Sequence, residues 1–250
     1  RRPRGGRLAP IRGRAGRRRA LLELERGARG QQRVLVAGGG VGGLNLALRL
    51  AEMPWPVAQG RPAPQIVMLD PKDRFVFTPL LVDYAVSGDV ELDEFAPEYS
   101  TLLGFARKER RYIPGAVSAD VEHLRARAVQ IDWRRRAATV AADGHEARID
   151  FDVLVISPGV LCRQGPAFAT EAGAEDVLPF STLEDAEALR SCLGARPPAS
   201  VAVVGAGYVG VEVAAALAEK DPACAVALFG ADLLRGCEPP NRERAAARLE

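Results

Sequence analysis

Cysteine and histidine are scarce in this chain, with four Cys and two His among 250 residues. Cys162, Cys192, Cys224 and Cys237 lie far apart and form no CxxC pair, and His123 and His145 have no partners at ligand spacing. A metal centre and a dithiol redox centre are therefore both unsupported, and no metal is expected. Acids are nearly absent from the head, where residues 1 to 33 hold 12 Arg against only Glu23 and Glu25. That head also lacks the apolar central run of a secretory signal. Its composition is that of an organelle transit peptide; a disordered basic tail and an RNA-binding arm are the other readings. Removing it from the formal charge of +2 leaves 22 basic against 30 acidic residues over 34 to 250, a net of −8. A mildly acidic body argues against nucleic acid as a partner.

Long apolar runs free of glycine are missing too. Residues 34 to 50 and 199 to 217 approach the length of a membrane span. Glycines at 205, 207 and 210 would each cost about 1 kcal/mol in a helix interior. Glu212 would sit in lipid without a partner. Division at the glycines gives instead a short buried strand and an amphipathic helix, twice over.

What is present is organised around those two units. The first runs "VLVAGGGVGGLNLALRL" from Val34, followed by the Pro-rich "MPWPVAQGRPAPQ", where no regular element is expected. The strand "IVMLD" ends in Asp70. "PKDRFVFTPLLVDYAVSG" reads as an irregular segment, and a helix is expected from about Phe95 to Arg110. Between Tyr112 and Asp152 short alternating segments read as an antiparallel meander. "VLVISPG", from Val153, reads as another fully buried strand. Ser181 and Thr182 ahead of Glu184 and Asp185 predict a capped helix start. "ASVAVVGAGYVGVEVAAALAEK" then repeats the opening theme, and "CAVALFGADLLRG" follows it.

Both loops match G-x-G-x-x-G, at Gly38, Gly40 and Gly43 and at Gly205, Gly207 and Gly210. The first glycine permits the tight turn, the second the approach of a pyrophosphate, and the third close helix packing. The helix N-terminus then faces the phosphate charge. Asp70, at the end of the second strand, is placed to accept from an adenosine ribose. The second unit departs from this pattern, because its partner strand leads to Gly230 rather than an acid. No carboxylate there opposes a 2′-phosphate, and Arg235 is near in sequence, so NADPH is admitted. Two dinucleotide sites in one chain suggest electrons passing between two dinucleotides, one of them a flavin.

These residues resemble the two-dinucleotide-binding-domain flavoproteins, and within them the type II NAD(P)H dehydrogenases. The resemblance covers about residues 33 to 250. It is carried by "VLVAGGGVGGL", "VMLD", "RFVFTPLL", "DFDVLVISPG", "PFSTLEDAEALR" and "VAVVGAGYVGVEVAAALAE". "FVFTPLLVDYAVSGDVELDEFAPEYSTLL" is most similar to the plastid branch, which is associated with reduction of prenylated quinones. The resemblance implies an α/β fold of two Rossmann-like domains with a small antiparallel meander. Residues 1–32 would precede an FAD-binding domain at 33–165 and an NAD(P)H-binding domain at 166–250, each incomplete.

Carried over, Gly38, Gly40, Gly43 and Asp70 hold the pyrophosphate and adenosine of FAD. Thr78, Pro79 and Leu80 lie near the isoalloxazine, Val117 meets the adenine, and Ser157, Pro158 and Gly159 form a turn beside the flavin. Gly205, Gly207, Tyr208, Val209 and Gly210 cradle NAD(P)H, with Glu212 near the nicotinamide end. The implied activity is FAD-dependent NAD(P)H:quinone oxidoreduction, and no catalytic side chain is assigned. A quinone is the substrate, with peripheral membrane attachment, a chloroplast location (the mitochondrion as alternative) and room for a homodimer. Two alternatives stand beside it: a soluble flavoprotein reductase of a ferredoxin-like protein, and a non-catalytic nucleotide-sensing flavoprotein. Cys162, after "SPGV", echoes the sulfide:quinone reductases, but the intact second loop favours a pyridine-nucleotide donor. The FAD domain of the family resumes after its nucleotide domain, so the chain resembles an incomplete member.

Overall fold

The computed structural model describes residues 30–56, 62–108, 116–160, 177–195 and 197–249, with Gly16, Leu21 and Leu24 as isolated positions. The chain folds as two compact units: one up to Phe75 with Pro97–Val160, the other Val76–Ala96 with the residues after 160.

The first unit is built on a four-stranded parallel sheet. Its strands are β1 (Arg33–Ala37), β3 (Gln65–Leu69), β5 (Val121–Leu124) and β9 (Val153–Ile156), in the order β5-β3-β1-β9. Alternation along β1 and β3 sends side chains to two different cores. Val34, Val36, Ile66 and Met68 face helices α1 (Val41–Glu52) and α3 (Tyr99–Lys108) through Leu44, Ala47, Tyr99 and Leu103. Leu35, Val67 and Leu69 face the other way, onto an antiparallel meander of β6 (Arg127–Asp132), β7 (Ala137–Ala142) and β8 (His145–Asp150) through Ala138, Val140 and Ile149. Strands covered on both faces are apolar throughout, as Val34 to Val36 and Ile66 to Leu69 are. The β7–β8 hairpin turns on Asp143 and Gly144 alone, with φ of 50° and 79°. That pair of positive φ values is what an Asp-Gly two-residue turn supplies.

In the second unit β10 (Ser200–Val204) and β11 (Ala225–Phe229) pair in parallel, joined by α5 (Tyr208–Lys220). Their inner residues Val201, Val203 and Val226 pack with Val213 and Leu217 of α5 and with Ala186 of α4 (Leu183–Ala195). Leu81, Val82, Tyr84 and Val86 complete that core.

Several expectations are corrected. The segment at 78–87 is not irregular: Thr78–Leu80 form a 3-10 turn and Asp83–Ser87 a wide π turn, closed by Gly88 at φ 81°. It is helical because Leu81, Val82, Tyr84, Ala85 and Val86 must all face one core. The helix expected from Phe95 is interrupted, with α2 (Leu92–Phe95) ending before Pro97 and α3 starting at Tyr99. Proline removes a donor and disfavours helix in the residue before it. Val121–Leu124 leaves the meander and pairs with β3 in the parallel sheet. Trp55–Pro56 within the Pro-rich segment forms a two-residue strand, β2, against Ala116–Val117, β4. The strand at Val153 is an edge strand, with Val153 and Ile156 about half exposed. The basic head is not wholly without structure, since Leu21 and Leu24 are helical and buried in the core with Leu35 and Val67.

Candidate functional site

The strand order places β1 between β3 and β9, so chain segments depart to either side of its carboxyl end. A crevice outside such a switch point is where open α/β sheets take ligands. Here the first glycine loop is pinned from both neighbours. Gly38 donates its N–H to Leu69 O at 2.8 Å, and Ser157 donates to Ala37 O at 2.8 Å. Gly38 has φ 110°, and a Cβ there would fall on the Ser157 carbonyl oxygen. A Cβ on Gly43 would fall on the Gly38 carbonyl oxygen. Both are therefore required by the fold itself.

Gly40 is not. Its backbone, at φ −62° and ψ −172°, suits any residue, and a Cβ there would meet nothing within 4 Å. Gly40 is also the N-cap of α1, which has neither a side-chain cap nor an acid in its first turn. The first amides of α1 thus remain available to an anion.

Asp70 is tied to this loop. Its Oδ2 accepts the Gly39 N–H at 2.7 Å and its Oδ1 accepts the Lys72 N–H at 2.9 Å. Each oxygen keeps a further lone pair for a ribose hydroxyl. Two residues absent from the sequence-based site complete the cluster. Tyr99 donates its buried hydroxyl to Gly39 O at 2.9 Å. The His123 ring lies 4.4 Å from the Tyr99 ring, with Nε2 3.3 Å from Asp70 O. Burial, and then the Asp70 charge, push the Tyr99 phenol well above its ordinary value, so it stays a donor. Burial lowers the His123 pKa, outweighing the Asp70 carbonyl and the nearby carboxylates. A Cβ on Gly39 would collide with the Tyr99 hydroxyl. The glycine at a free position of the motif is explained by that contact.

The remaining residues of the first site come from three other segments. The Ser157 hydroxyl lies over Gly42, where an added Cβ would approach it to 2.9 Å. Gly159, at φ 73°, turns the chain after β9. Val117 sits in β4 opposite Trp55. Thr78, Pro79 and Leu80 form their turn in the second unit.

The second loop repeats the construction. Gly205 has φ 121° and donates to Phe229 O at 2.7 Å, while a Cβ on Gly210 would fall on Gly205 O. Gly207, the N-cap of α5, has φ −81° with nothing within 4 Å of an added Cβ, and α5 has no side-chain cap. Tyr208 and Val209 are exposed at the start of α5, and Glu212 is exposed one turn later. Cys237 Sγ lies 3.1 Å from the Tyr208 hydroxyl. Cys192, Cys224 and Cys237 are free thiols; Cys162 lies outside the described residues.

The family model for pyridine nucleotide-disulphide oxidoreductases matches residues 32–250. The chain belongs to this family. As a pyridine nucleotide-disulphide oxidoreductase it is 34% identical over 194 residues to demethylphylloquinone reductase NdbB of Synechocystis, covering 75% of this chain and 43% of that protein. It is 33% identical over 198 residues to the chloroplastic/mitochondrial alternative NAD(P)H-ubiquinone oxidoreductase C1 of Arabidopsis thaliana, covering 75% and 36%. The chain thus spans less than half the length of these curated relatives. NDH2 of Plasmodium falciparum, solved in complex with NADH, shares its fold at TM-score 0.63 and 18% identity, covering 87% of this chain and 46% of that one. These similarities bear out the resemblance to the type II NAD(P)H dehydrogenases and the α/β dinucleotide-binding fold class. Among the described residues of this family member, no helix is long and apolar enough to cross a membrane. No group of three potential metal ligands occurs there either.

Proposed function

We propose that the chain is the nucleotide-binding part of an FAD-dependent NAD(P)H:quinone oxidoreductase of the type II class. The first glycine loop takes FAD and the second takes NAD(P)H. One observation carries this reading: Gly40 and Gly207 have neither a steric nor a conformational reason to be glycine, and each caps a bare helix N-terminus. A glycine that the fold does not need, at the mouth of free amides, fits the close approach of a diphosphate. Glycines 38, 43, 205 and 210 shape the two cradles, and Asp70 offers its spare lone pairs to the adenosine ribose.

Bound FAD supplies a ring that takes up hydride and passes electrons on to a quinone. The work of the chain is to bind and orient: the α1 amides face one diphosphate, the α5 amides the other, and Tyr99 and Asp70 hold the first loop in shape. The names of the two curated relatives, one acting on demethylphylloquinone and one on ubiquinone, support a quinone as acceptor. They also support a plastid, or alternatively a mitochondrial, location for the whole protein. Thr78 to Leu80, Val117 and Ser157 to Gly159 complete the flavin site in this reading, and Tyr208, Val209 and Glu212 the nicotinamide site.

The test is spectroscopic. The full chain, purified and freed of unbound flavin, is expected to show flavin absorbance that NADH or NADPH bleaches and a short-chain quinone restores. A colourless protein that takes up no added FAD would overturn the flavin assignment. Bound flavin that neither nucleotide bleaches would overturn the oxidoreductase reading and leave a nucleotide sensor.

A further inference from the structure

The connection from β6 to β7 is made by Trp133, Arg134, Arg135 and Arg136 alone. Asp132 and Ala137 pair across its base. Asp132 also clamps the turn, its Oδ1 accepting the Arg135 N–H at 3.0 Å and its Oδ2 lying 3.6 Å from Arg135 Nη1. Arg136 has φ 50°, a conformation that glycine or asparagine adopts at less cost. Its carbonyl accepts the Phe151 N–H at 2.8 Å. The turn is thus held in one shape by backbone and by Asp132, and nothing in that shape calls for an indole or a row of cations.

All four side chains of the turn are exposed. Trp133 is 62% exposed, whereas tryptophan is on average a highly buried residue. The neighbouring carboxylates are already engaged, Asp132 with Arg135 and Asp150 with Arg148 at 3.4 Å. The side chains of Arg134 and Arg136 have no hydrogen-bond or ion-pair partner among the described residues. Over 34 to 250 there are 22 basic against 30 acidic residues, so three consecutive cations beside an indole run against the composition. The turn also lies away from the first glycine loop. Phe151 leads to Asp152, which exchanges hydrogen bonds with Arg33 at the amino end of β1, while the glycines follow its carboxyl end.

We propose that this hairpin tip docks on an anionic lipid surface. Arg134 and Arg136 meet the headgroup anions, and the Trp133 indole lies in the interfacial layer, which takes both its apolar ring and its N–H. A nucleic acid also offers anions, but it needs a track of cations along several phosphates. No such track leads from the tip, because β8 alternates Arg148 with the exposed Glu146 and Asp150. A bilayer needs only a point of contact. This docking goes beyond the proposed function and does not depend on it, since it involves neither flavin nor nucleotide.

The test sediments the full chain with vesicles of phosphatidylcholine alone and with vesicles that contain an equal part of phosphatidylglycerol. Binding is expected to the anionic vesicles only, and to weaken as salt is raised. Arg134→Gln combined with Arg136→Gln is expected to weaken it at least tenfold, since each cation at such a surface contributes about fivefold. The Asp132 clamp is untouched, so thermal melting is expected to show this variant folded. Because the Arg-rich head carries cations of its own, a second readout is confined to the tip. The chain has two tryptophans, Trp55 and Trp133. Lipids brominated near the headgroup end of their acyl chains are expected to quench the parent and not Trp133→Phe, in which only Trp55 remains. No binding to anionic vesicles, or equal binding to neutral ones, would overturn the proposal. Binding that leaves the parent unquenched, or that survives the double substitution, would overturn it in favour of the head. Tighter binding of single-stranded RNA, lost in the double variant, would overturn it in favour of nucleic acid. Each of these outcomes leaves the flavin assignment standing, because none of the substituted residues lies in the first loop.

Discussion

The hydroxyl of Tyr99 donates to the carbonyl oxygen of Gly39 at 2.9 Å, across sixty residues of sequence. The N–H of the same glycine is held by Asp70 at 2.7 Å. Two side chains from different elements thus fix the peptide units on both sides of Gly39, in the middle of the first glycine loop. Tyr99→Phe removes one of these anchors and leaves a carbonyl without its partner, costing about 1 kcal/mol or somewhat more. The loss falls on the loop, so flavin affinity is expected to drop severalfold. Fluorescence titration of flavin-stripped protein with FAD reads it directly. A variant that melts lower yet binds FAD with parent affinity would show that Tyr99 supports the core and not the cradle.

The four motif glycines at the second and third positions divide into two kinds, and substitution separates them. Gly43→Ala and Gly210→Ala each push a methyl onto a backbone carbonyl oxygen of their own loop. Overpacking of that kind costs about 1–3 kcal/mol, so both variants are expected to melt several degrees lower. Gly40→Ala and Gly207→Ala place the methyl in open space on backbone any residue adopts. Their stability is expected to fall by no more than about 1 kcal/mol, the scale of the preference of an N-cap for glycine over alanine. Gly40→Ala is expected to lose FAD, and Gly207→Ala the nicotinamide nucleotide. Parent-like binding of both cofactors by both variants would remove the main support for two nucleotide sites.

His123 predicts an acid limit for the first unit. Burial lowers its pKa from the ordinary 6.5, so between the two values the unfolded chain binds the proton that the folded chain refuses. Stability therefore falls as pH drops through that window and is unaffected by this group well above it. Protonation would also set a buried cation beside the Tyr99 ring, where the Asp70 carbonyl and the Asp70 and Asp73 carboxylates offset only part of its desolvation. His123→Phe keeps an aromatic ring against Tyr99 and removes the titration. Melting temperature measured between pH 7.5 and pH 5.5 (about one unit either side of the ordinary value) is expected to fall more steeply in the parent than in the variant. Parallel curves would place the acid sensitivity elsewhere.

Glycine spacing between a β-branched strand and an apolar-periodic helix is local information, and both loops were legible from it. So was Asp70, because a strand that ends in an acid is also local. Tyr99 and His123 were not, since each reaches the loop only through the fold, and nothing within a few residues of either marks the contact. Gly39 carried a signal that the motif does not require, a third consecutive glycine, and the Tyr99 hydroxyl accounts for it. Periodicity failed at 78–87 because a 3-10 turn and a π turn in succession bury residues at neither helical nor strand spacing. It failed at Val121–Leu124 because four residues cannot show whether a strand pairs with its sequence neighbour or crosses to a parallel sheet. Edge exposure of β9 follows from strand order alone, and an apolar run gives no hint of that order.

The start of α4 offers a stability prediction with its own pH signature. Thr182 Oγ1 accepts the Asp185 N–H at 3.2 Å, and Asp185 Oδ2 accepts the Thr182 N–H at 2.9 Å, a reciprocal cap. Ser181 donates to the same carboxylate through its N–H at 2.9 Å and its hydroxyl at 3.2 Å. Partial burial raises the Asp185 pKa, but the hydrogen bonds its carboxylate accepts from the backbone and side chains of Ser181 and Thr182 outweigh it and leave it below the ordinary 3.8. A depressed carboxylate stabilises the fold above its unfolded pKa, and that contribution is lost as pH falls through the folded value. Asp185→Ala is expected to cost about 1 kcal/mol at neutral pH, and the gap between parent and variant to narrow as pH falls below the ordinary 3.8 towards the lowered folded value. Asp185→Asn keeps one acceptor oxygen without the charge, so it is expected to recover part of the loss and to show no such narrowing. Urea midpoints of the three proteins at neutral pH and near pH 3, the lower edge of the carboxylate range, decide the matter. A parent that keeps its full advantage over Asp185→Ala at the lower pH would mean that the cap does not depend on an ionised carboxylate.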